Sequence, residues 1–498
     1  MRIAFVNPQG NFDPRNSHLA SHPDFGGQLV YVREVARALG RMGHQADIVT
    51  RRIEDPEWPE FRGGSDTYPD HPNVRILRVP CGPPEFLTKE ELWPYLGEWA
   101  EGVARRYVEE GSWPDLWTGH YADGGLSAAI LSEISGVPFT FTAHSLGAWK
   151  LDLILREAGE NHQEELRGAD AHYNFGARIE AERTSMARSS VIVTNSYAER
   201  CEQYGHPAYR GAVSVAEDCR FAVIPPGVNF EVFDPEARSP WENEVRDRIR
   251  AAHERDISPH RRDLPAVIAW SRLDPRKNHL ALVQAFARNR ALRERANLLI
   301  ITRGLEDPLH DRGASGEATD EQLAVIEAMI EEIDRSGLWG CISAFSLSGQ
   351  STVAALYRWG AATGGVFCLP AEYEPFGLSV VEAMAVGLPV VATRNGGPHE
   401  TTDEGRAGLL IDPYDPSDIA GKLLRLLSDR KTWKVFAARG RKRARDHYGW
   451  DQAAKGYLRL AEEACSERNN DPSRYPIPEF ARSIEPVPLP CLRSWETG

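Results

Sequence analysis

The chain has 498 residues, with 58 Lys and Arg against 72 Asp and Glu and a formal net charge of −14 at pH 7, and it is long enough for two domains with separate cores. That balance excludes the basic stripe that nucleic-acid or anionic-membrane binding requires, so any anion site must be local. Seven cysteines are scattered without a Cys-x2-Cys pair; an odd number cannot all pair within one chain, and reduced, packed thiols are expected. No run approaches the ~20 apolar residues of a spanning helix. Met1-Arg-Ile-Ala-Phe-Val-Asn-Pro opens as a strand, without an apolar targeting region and cleavage site, so a cytoplasmic location is expected.

Short apolar strands are expected at 3–7, 46–50, 74–79, 116–119 and 139–143, alternating with helices at 28–42, 92–109 and 126–134. A helix at 179–188 and strands at 191–195 and 221–225 continue the series, which reads as a parallel sheet covered on both faces. This first domain spans 1–228. Composition shifts to Arg, Glu, Asp and Pro over 230–264, with a solvated helix at 241–255. Strands at 266–270, 298–302, 342–345, 366–369, 390–393 and 409–411, with helices between them and closing helices at 416–427 and 432–447, make a second domain over 229–448. Residues 449–498 hold a helix at 450–465 and a Pro-rich tail whose composition argues against a packed element. The fold class is α/β, with two doubly wound Rossmann-like domains.

In open α/β sheets ligands lie at the carboxyl ends of the strands, so the loops there carry the candidate site. Asn7-Pro8-Gln9-Gly10 follows the first strand, and Gly26-Gly27-Gln28 opens the first long helix, where paired glycines let backbone amides approach a phosphate or sugar. Thr88 and Glu91 read as a capping box that puts Lys89 at the first helical position, where a cation opposes the dipole unless an anion lies nearby. Strand 139–143 ends in His144-Ser145-Leu146-Gly147, with Lys150 a turn on. Strand 266–270 leads into Ser271-Arg272-Leu273-Asp274-Pro275-Arg276-Lys277-Asn278, where Arg272 offers a planar fork and Lys277 a point charge for two phosphates.

The most informative stretch follows strand 366–369. Glu374-Pro375-Phe376-Gly377-Leu378 turns into a helix that reads as amphipathic, and its first amides suit a diphosphate. Glu382 lies within that helix, so the two carboxylates should be ~10 Å or more apart. A hydrolase pair sits closer, at about 5 to 9.5 Å, so Glu374 and Glu382 fit two recognition contacts on one long ligand. Asn395-Gly396-Gly397-Pro398 offers further exposed amides. No Asp-x-Asp triplet occurs, so no metal and no cofactor are expected, with Arg272, Lys277 and helix-end amides neutralising the charge.

Residues 371–384 resemble the Glu-x7-Glu signature of retaining glycosyltransferases with two Rossmann-like domains, the GT-B type. The resemblance implies that the domains face a cleft, that C-terminal helices cross back to the first domain, and that Glu374 meets the transferred sugar and Glu382 the nucleotide ribose. It also places His144 beside the anomeric carbon as a hydrogen-bond acceptor for a sugar hydroxyl, Arg272 and Lys277 on the phosphates, and Arg303 and Leu347 near the base. The implied catalytic set is His144, Arg272, Lys277 and Glu374. Gly26 and Gly27, with Phe376, Gly377 and Leu378, complete the implied donor set.

Asn7-Pro-Gln-Gly-Asn-Phe-Asp, Lys89-Glu-Glu-Leu-Trp-Pro-Tyr-Leu, His120-Tyr-Ala-Asp-Gly-Gly and Phe139-Thr-Phe-Thr-Ala-His-Ser-Leu-Gly resemble sucrose-phosphate synthases more narrowly. That family moves glucose from UDP-glucose to fructose 6-phosphate, and the match implies that Lys89, Tyr121, Ser145 and Arg178 surround the acceptor phosphate, with Gly27, Gln28 and Lys150 as further acceptor contacts. One departure is Gly176-Ala177-Arg178-Ile179-Glu180-Ala181-Glu182, where those synthases commonly carry two adjacent arginines. It leaves open a mannosylfructose-phosphate synthase using GDP-mannose; a sucrose synthase-like enzyme using free fructose fits less well, because Arg178 is present. No phosphatase-like domain is appended, so a separate sucrose-phosphate phosphatase is an expected partner.

Overall fold

The computed structural model describes residues 1–15, 17, 27–157, 162–311, 318–464 and 475–482. Contacts divide it into two units: residues 1–225 with the described residues from Trp450 onward, and residues 226–449. Gly26, most of the Pro-rich tail, Cys465 and Cys491 lie outside the described residues. Cys81, Cys201, Cys219, Cys341 and Cys368 are free thiols. No helix among the described residues is long and apolar enough to cross a membrane.

Unit 1 holds β1 (Arg2–Asn7), β2 (Gln45–Arg51), β3 (Ser65–Tyr68), β4 (His71–Val79), β5 (Leu116–His120), β6 (Phe139–Thr142), β7 (Val191–Thr194) and β8 (Phe221–Val223), in the spatial order β3-β4-β2-β1-β5-β6-β7-β8. Every pairing is parallel except β3 on β4. Within this row, β4-β2-β1-β5-β6-β7 is the doubly wound order that reverses between β1 and β5. Ile3, Ala4, Phe5 and Val6 are all fully buried, as a strand covered on both faces requires.

Its helices are α1 (Gly27–Arg41), α2 (Leu96–Glu109), α3 (Tyr121–Ser135), α4 (Gly147–Glu157), α5 (His162–Tyr173), α6 (Phe175–Arg188) and α7 (Tyr197–Glu202). The His120-Tyr-Ala-Asp-Gly-Gly pattern is partly a packing device. A Cβ on Gly124 would stand 2.3 Å from the Val6 carbonyl oxygen, so only glycine lets α3 lie this close to β1.

Lys89 does not open a helix. Thr88 donates from its amide and its hydroxyl to Glu91 Oε2, both at 2.9 Å, but this closes a single turn. A 3-10 turn at Trp93–Tyr95 intervenes before α2, because Pro94 has no N–H to give and biases the residue before it away from helix.

Unit 2 holds β9 (Ala266–Trp270), β10 (Asn297–Thr302), β11 (Ile342–Ser346), β12 (Val366–Leu369), β13 (Val390–Thr393) and β14 (Leu409–Ile411), all parallel, in the order β11-β10-β9-β12-β13-β14. This second doubly wound sheet reverses between β9 and β12. Its helices are α8 (Trp241–Asp256), α9 (His279–Arg288), α10 (Arg290–Arg293), α11 (Asp320–Ser336), α12 (Gln350–Thr363), α13 (Leu378–Val386), α14 (Pro398–Thr401), α15 (Pro416–Ser428) and α16 (Arg430–His447).

Two helices depart from expectation. α8, read as solvated, buries Val245, Ile249 and Ala252. α13, read as amphipathic, is buried at every position from Val380 to Val386.

The helix α17 (Trp450–Ala464) belongs to unit 1, where Trp450, Tyr457, Leu460 and Ala461 pack with Leu29, Val32, Val35 and Leu39 of α1. The described part of the tail is also packed: Phe480 and Ala481 are buried in unit 1, and Phe480 meets Trp93 edge-on at 6.1 Å. Ile477 is buried with them and Tyr475 packs against the same core, so several apolar side chains hold this segment.

Candidate active site

In unit 1 the site residues collect at the carboxyl ends of β1, β5 and β6, beside the point where the strand order reverses. Gln28 Nε2 donates to Asn7 Oδ1 at 3.0 Å and to the His120 carbonyl at 3.4 Å, pinning the start of α1 across β1 and β5. Gly27 is exposed, with nothing within 4 Å of where its Cβ would be. Asp123 is buried and accepts from the Gln9 amide at 3.3 Å; burial pushes its carboxyl up to about 6. Asp123 Oδ1, Asn7 Nδ2, Gln9 Nε2 and Asn11 Nδ2 are buried without a hydrogen-bond partner among the described residues. Sequence reasoning marks the Asn7–Gly10 loop but gives no role to the Asn7, Gln9 and Asn11 amides or to Asp123, although amides at alternate positions after a first strand are a visible signal.

His144 lies in the loop after β6, with φ at 56°, a value few non-glycine residues adopt. Its Nε2 lies 2.8 Å from His120 Nδ1, and the two rings stack with centroids 5.1 Å apart. Burial drives His144 down to about 3, so at neutral pH it is an uncharged hydrogen-bonding group. His120 was also missed. Its signal is positional, since it ends the strand that pairs with β6, in register with Thr142.

Tyr121 opens α3 at φ 66°. Lys89 Nζ lies 4.9 Å and Arg178 Cζ 4.6 Å from its ring centroid, so two cations share one aromatic ring. Arg178 is 4% exposed. Its Nε donates to Glu182 Oε1 at 3.0 Å and its Nη2 to the Ser145 carbonyl at 2.8 Å. Glu182 also accepts from the Gly147 amide and the Tyr209 hydroxyl, and it thereby fixes the Ser145–Gly147 loop. Lys150 lies instead over Tyr173, 3.9 Å from the ring centroid. Ala177 is fully buried and presents no second cation to solvent.

In unit 2 the loops after β9 and β12 are joined. The Glu372 amide donates to the Arg276 carbonyl at 2.9 Å, and Lys277 Nζ meets Glu374 Oε2 at 2.8 Å. Asp274 accepts from the Arg276 amide at 2.9 Å and shapes the turn that presents Lys277. Arg272 has 71% of its side chain exposed, with Asp274 Oδ2 3.9 Å away. The Gly397 amide donates to the Glu374 carbonyl at 2.9 Å. A Cβ on Gly396, at φ 88°, would stand 2.3 Å from that same carbonyl oxygen, so this loop must be glycine to lie against Glu374.

α13 begins after Gly377, with the Gly377 amide donating to Glu374 Oε1 at 3.3 Å. Phe376 and Leu347 are buried in the core, and the Leu347 amide donates to the Thr302 carbonyl at 3.2 Å. Glu382 is 5% exposed. Burial pushes its carboxyl up to about 8, partly offset by the positive charge of Arg303, whose guanidinium lies 5.2 Å from the Trp270 ring centroid. Among the described residues no three His, Cys, Asp or Glu converge to hold a metal ion.

Residues 26–213 match the family described as glycosyl transferase 4-like domain and residues 343–443 that described as glycosyl transferases group 1. A probable sucrose-phosphate synthase from Thermosipho melanesiensis is 38% identical over 93% of this chain and 97% of its own length. A probable sucrose-phosphate synthase from Solanum tuberosum is 34% identical over 97% of this chain, which spans 48% of that longer protein. Among solved structures, a sucrose-phosphate synthase from Thermosynechococcus elongatus superposes with a TM-score of 0.65 at 24% identity, covering 94% of this chain and 99% of that one. Anabaena HepE in complex with UDP and glucose superposes with a TM-score of 0.56 at 19% identity, covering 94% and 100%.

Two doubly wound sheets with these matches define a glycosyltransferase of the GT-B fold. Its near full-length likeness to the Thermosipho protein goes further: the chain belongs to the sucrose-phosphate synthase family.

Proposed function

We propose that this glycosyltransferase moves glucose from UDP-glucose to the anomeric hydroxyl of fructose 6-phosphate with retention, giving sucrose 6-phosphate and UDP without a metal ion or cofactor. Unit 1 takes the acceptor. The observation that carries the reading is the pair of cations on Tyr121: Lys89 and Arg178 lie within 5 Å of its centroid at the end of β5, charge that suits a phosphate and that a neutral sugar does not need. Unit 2 takes the donor, with Arg272 and Lys277 meeting the diphosphate, the amides opening α13 adding to them, and Glu382 accepting from the ribose.

In the reaction the C1–O bond to the diphosphate breaks and the C1–O bond to fructose forms on the same face. The departing phosphate oxygen takes the hydroxyl proton, so the protein supplies positioning and charge stabilisation. His144, uncharged at neutral pH, hydrogen-bonds a sugar hydroxyl. A GDP-mannose donor is the second reading, favoured by the absence of a second cation at Ala177. The product leaves phosphorylated, for a separate phosphatase.

The test is nucleotide release from UDP-glucose with fructose 6-phosphate, run beside free fructose and beside GDP-mannose and ADP-glucose. Release confined to UDP-glucose with the phosphorylated acceptor supports the reading; equal release with free fructose removes it.

A further inference from the structure

One buried titratable side chain of unit 2 has no part in the proposed reaction. His279, at the start of α9, is 1% exposed. Its Nε2 lies 3.0 Å from Ser271 Oγ, and either atom can be the donor. Its Nδ1 is buried without a hydrogen-bond partner, so Ser271 is the polar tie of this ring among the described residues. Burial drives the imidazole down to about 4, and the positive charge of Lys277 adds to the effect, so the ring is uncharged at neutral pH.

The contact closes a loop. Ser271 directly follows β9 and His279 opens α9, so one hydrogen bond joins the two ends of Ser271-Arg272-Leu273-Asp274-Pro275-Arg276-Lys277-Asn278-His279. Within that span the Asp274 amide donates to the Arg272 carbonyl and the Lys277 amide to the Asp274 carbonyl, both at 2.9 Å. Leu273 is buried in one core with Leu282 and Phe286 of α9. The Ser271 hydroxyl and the Leu273 side chain are thus turned toward α9, while Arg272 between them has 71% of its side chain exposed.

The two cations of the loop are held differently. Lys277 is braced from the loop after β12, through its ion pair with Glu374 and through the Glu372 amide on the Arg276 carbonyl. Arg272 has no such brace among the described residues: its guanidinium reaches Asp274 of its own loop at 3.9 Å. The direction from which Arg272 approaches a ligand is therefore set by the backbone at the Ser271 end. A cation held in place before binding loses less freedom when the ligand arrives than one that must be ordered then.

We propose that Ser271 and His279 are positioning residues for the diphosphate, their hydrogen bond fixing the stretch of backbone that presents Arg272. The inference rests on the reading of Arg272 and Lys277 as diphosphate ligands.

The test is calorimetric titration of the full-length protein with inorganic pyrophosphate and with UDP, alongside kcat from nucleotide release. His279→Leu, which keeps bulk but not the hydrogen bond, and Ser271→Ala should each weaken both ligands by about fivefold to tenfold, the weight of one hydrogen bond, and lower kcat by a similar factor, with KM for fructose 6-phosphate unchanged. His279→Gln, whose amide can still meet Ser271, should recover most of the loss. In an Arg272→Ala background His279→Leu should cost UDP affinity little more, because the two changes act through one group. Leu282→Ala, on the same helix and fully buried, should lower the unfolding temperature while leaving both affinities as they were. Wild-type affinities in His279→Leu, or a loss just as large in the Arg272→Ala background, overturns the proposal. A wild type that binds neither pyrophosphate nor UDP overturns it together with the diphosphate reading. Absent nucleotide release from a protein whose pyrophosphate affinity depends on His279 as expected would instead sink the choice of substrates and leave the role of the loop standing.

Discussion

Glu382→Gln should remove a pH dependence from nucleotide binding. Burial holds the Glu382 carboxyl up to about 8, so the ligand-free protein at pH 7 carries it protonated. A ribose diol that donates hydrogen bonds needs the carboxylate, and ionising the group one pH unit below its titration point costs ~1.4 kcal/mol. UDP affinity should therefore rise about tenfold per unit from pH 6 to 8 and level off above. The sign for stability runs the other way. The unfolded chain titrates this group near 4.5 and the folded chain near 8, so the stability of unit 2 should fall as pH rises through that window, and the glutamine variant should lack this slope. Calorimetric titration of UDP at several pH values, for wild type and Glu382→Gln side by side, checks this, since the nucleotide's own phosphate titration cancels in the ratio. Parallel affinity curves for the two proteins would refute the reasoning.

Other substitutions separate positioning from charge. Lys277→Ala and Arg272→Ala should each raise the barrier by roughly 2.7 to 4 kcal/mol, the scale of one preorganised donor, measured as kcat; Arg272→Ala should leave the unfolding temperature alone because that side chain is mostly exposed. Lys89→Ala should raise KM for fructose 6-phosphate by about tenfold, consistent with one charge-assisted contact of ~1.4 kcal/mol. Arg178→Ala should instead destabilise the fold by ~3 to 5 kcal/mol, because it leaves the buried Glu182 carboxylate without its cation, and thermal unfolding would show it. Gly396→Ala puts a methyl group 2.3 Å from the Glu374 carbonyl oxygen at a positive φ, and should lower both the unfolding temperature and donor affinity, by at least ~1 to 3 kcal/mol of strain.

Much of the architecture was legible because parallel strands buried on both faces write themselves as short, wholly apolar runs. Ala266–Trp270, Val366–Leu369 and Val390–Thr393 stand where the runs place them. β3, Ser-Asp-Thr-Tyr, was not legible: it is an antiparallel edge strand with only Tyr68 buried, so no apolar alternation marks it. α5, His-Gln-Glu-Glu-Leu-Arg-Gly-Ala-Asp-Ala-His-Tyr, escaped because its apolar positions are few and interrupted by charges. At the site, Lys277 and Glu374 were readable one by one from their loops, but their 2.8 Å contact follows from adjacent strand ends 97 residues apart. The high titration point of Glu382 likewise comes from the burial of α13 on nearly all sides, which a helix read as amphipathic conceals.

The most direct test of transfer to a phosphorylated acceptor with retention is the product itself. UDP-glucose labelled with carbon-13 at the glucose C1 would be incubated with fructose 6-phosphate and the product followed by carbon and phosphorus NMR. The account predicts an α-linked glucosyl group on the fructose anomeric oxygen with the phosphate still on C6. A β-linked product, or labelled free glucose with unchanged fructose 6-phosphate, would contradict it.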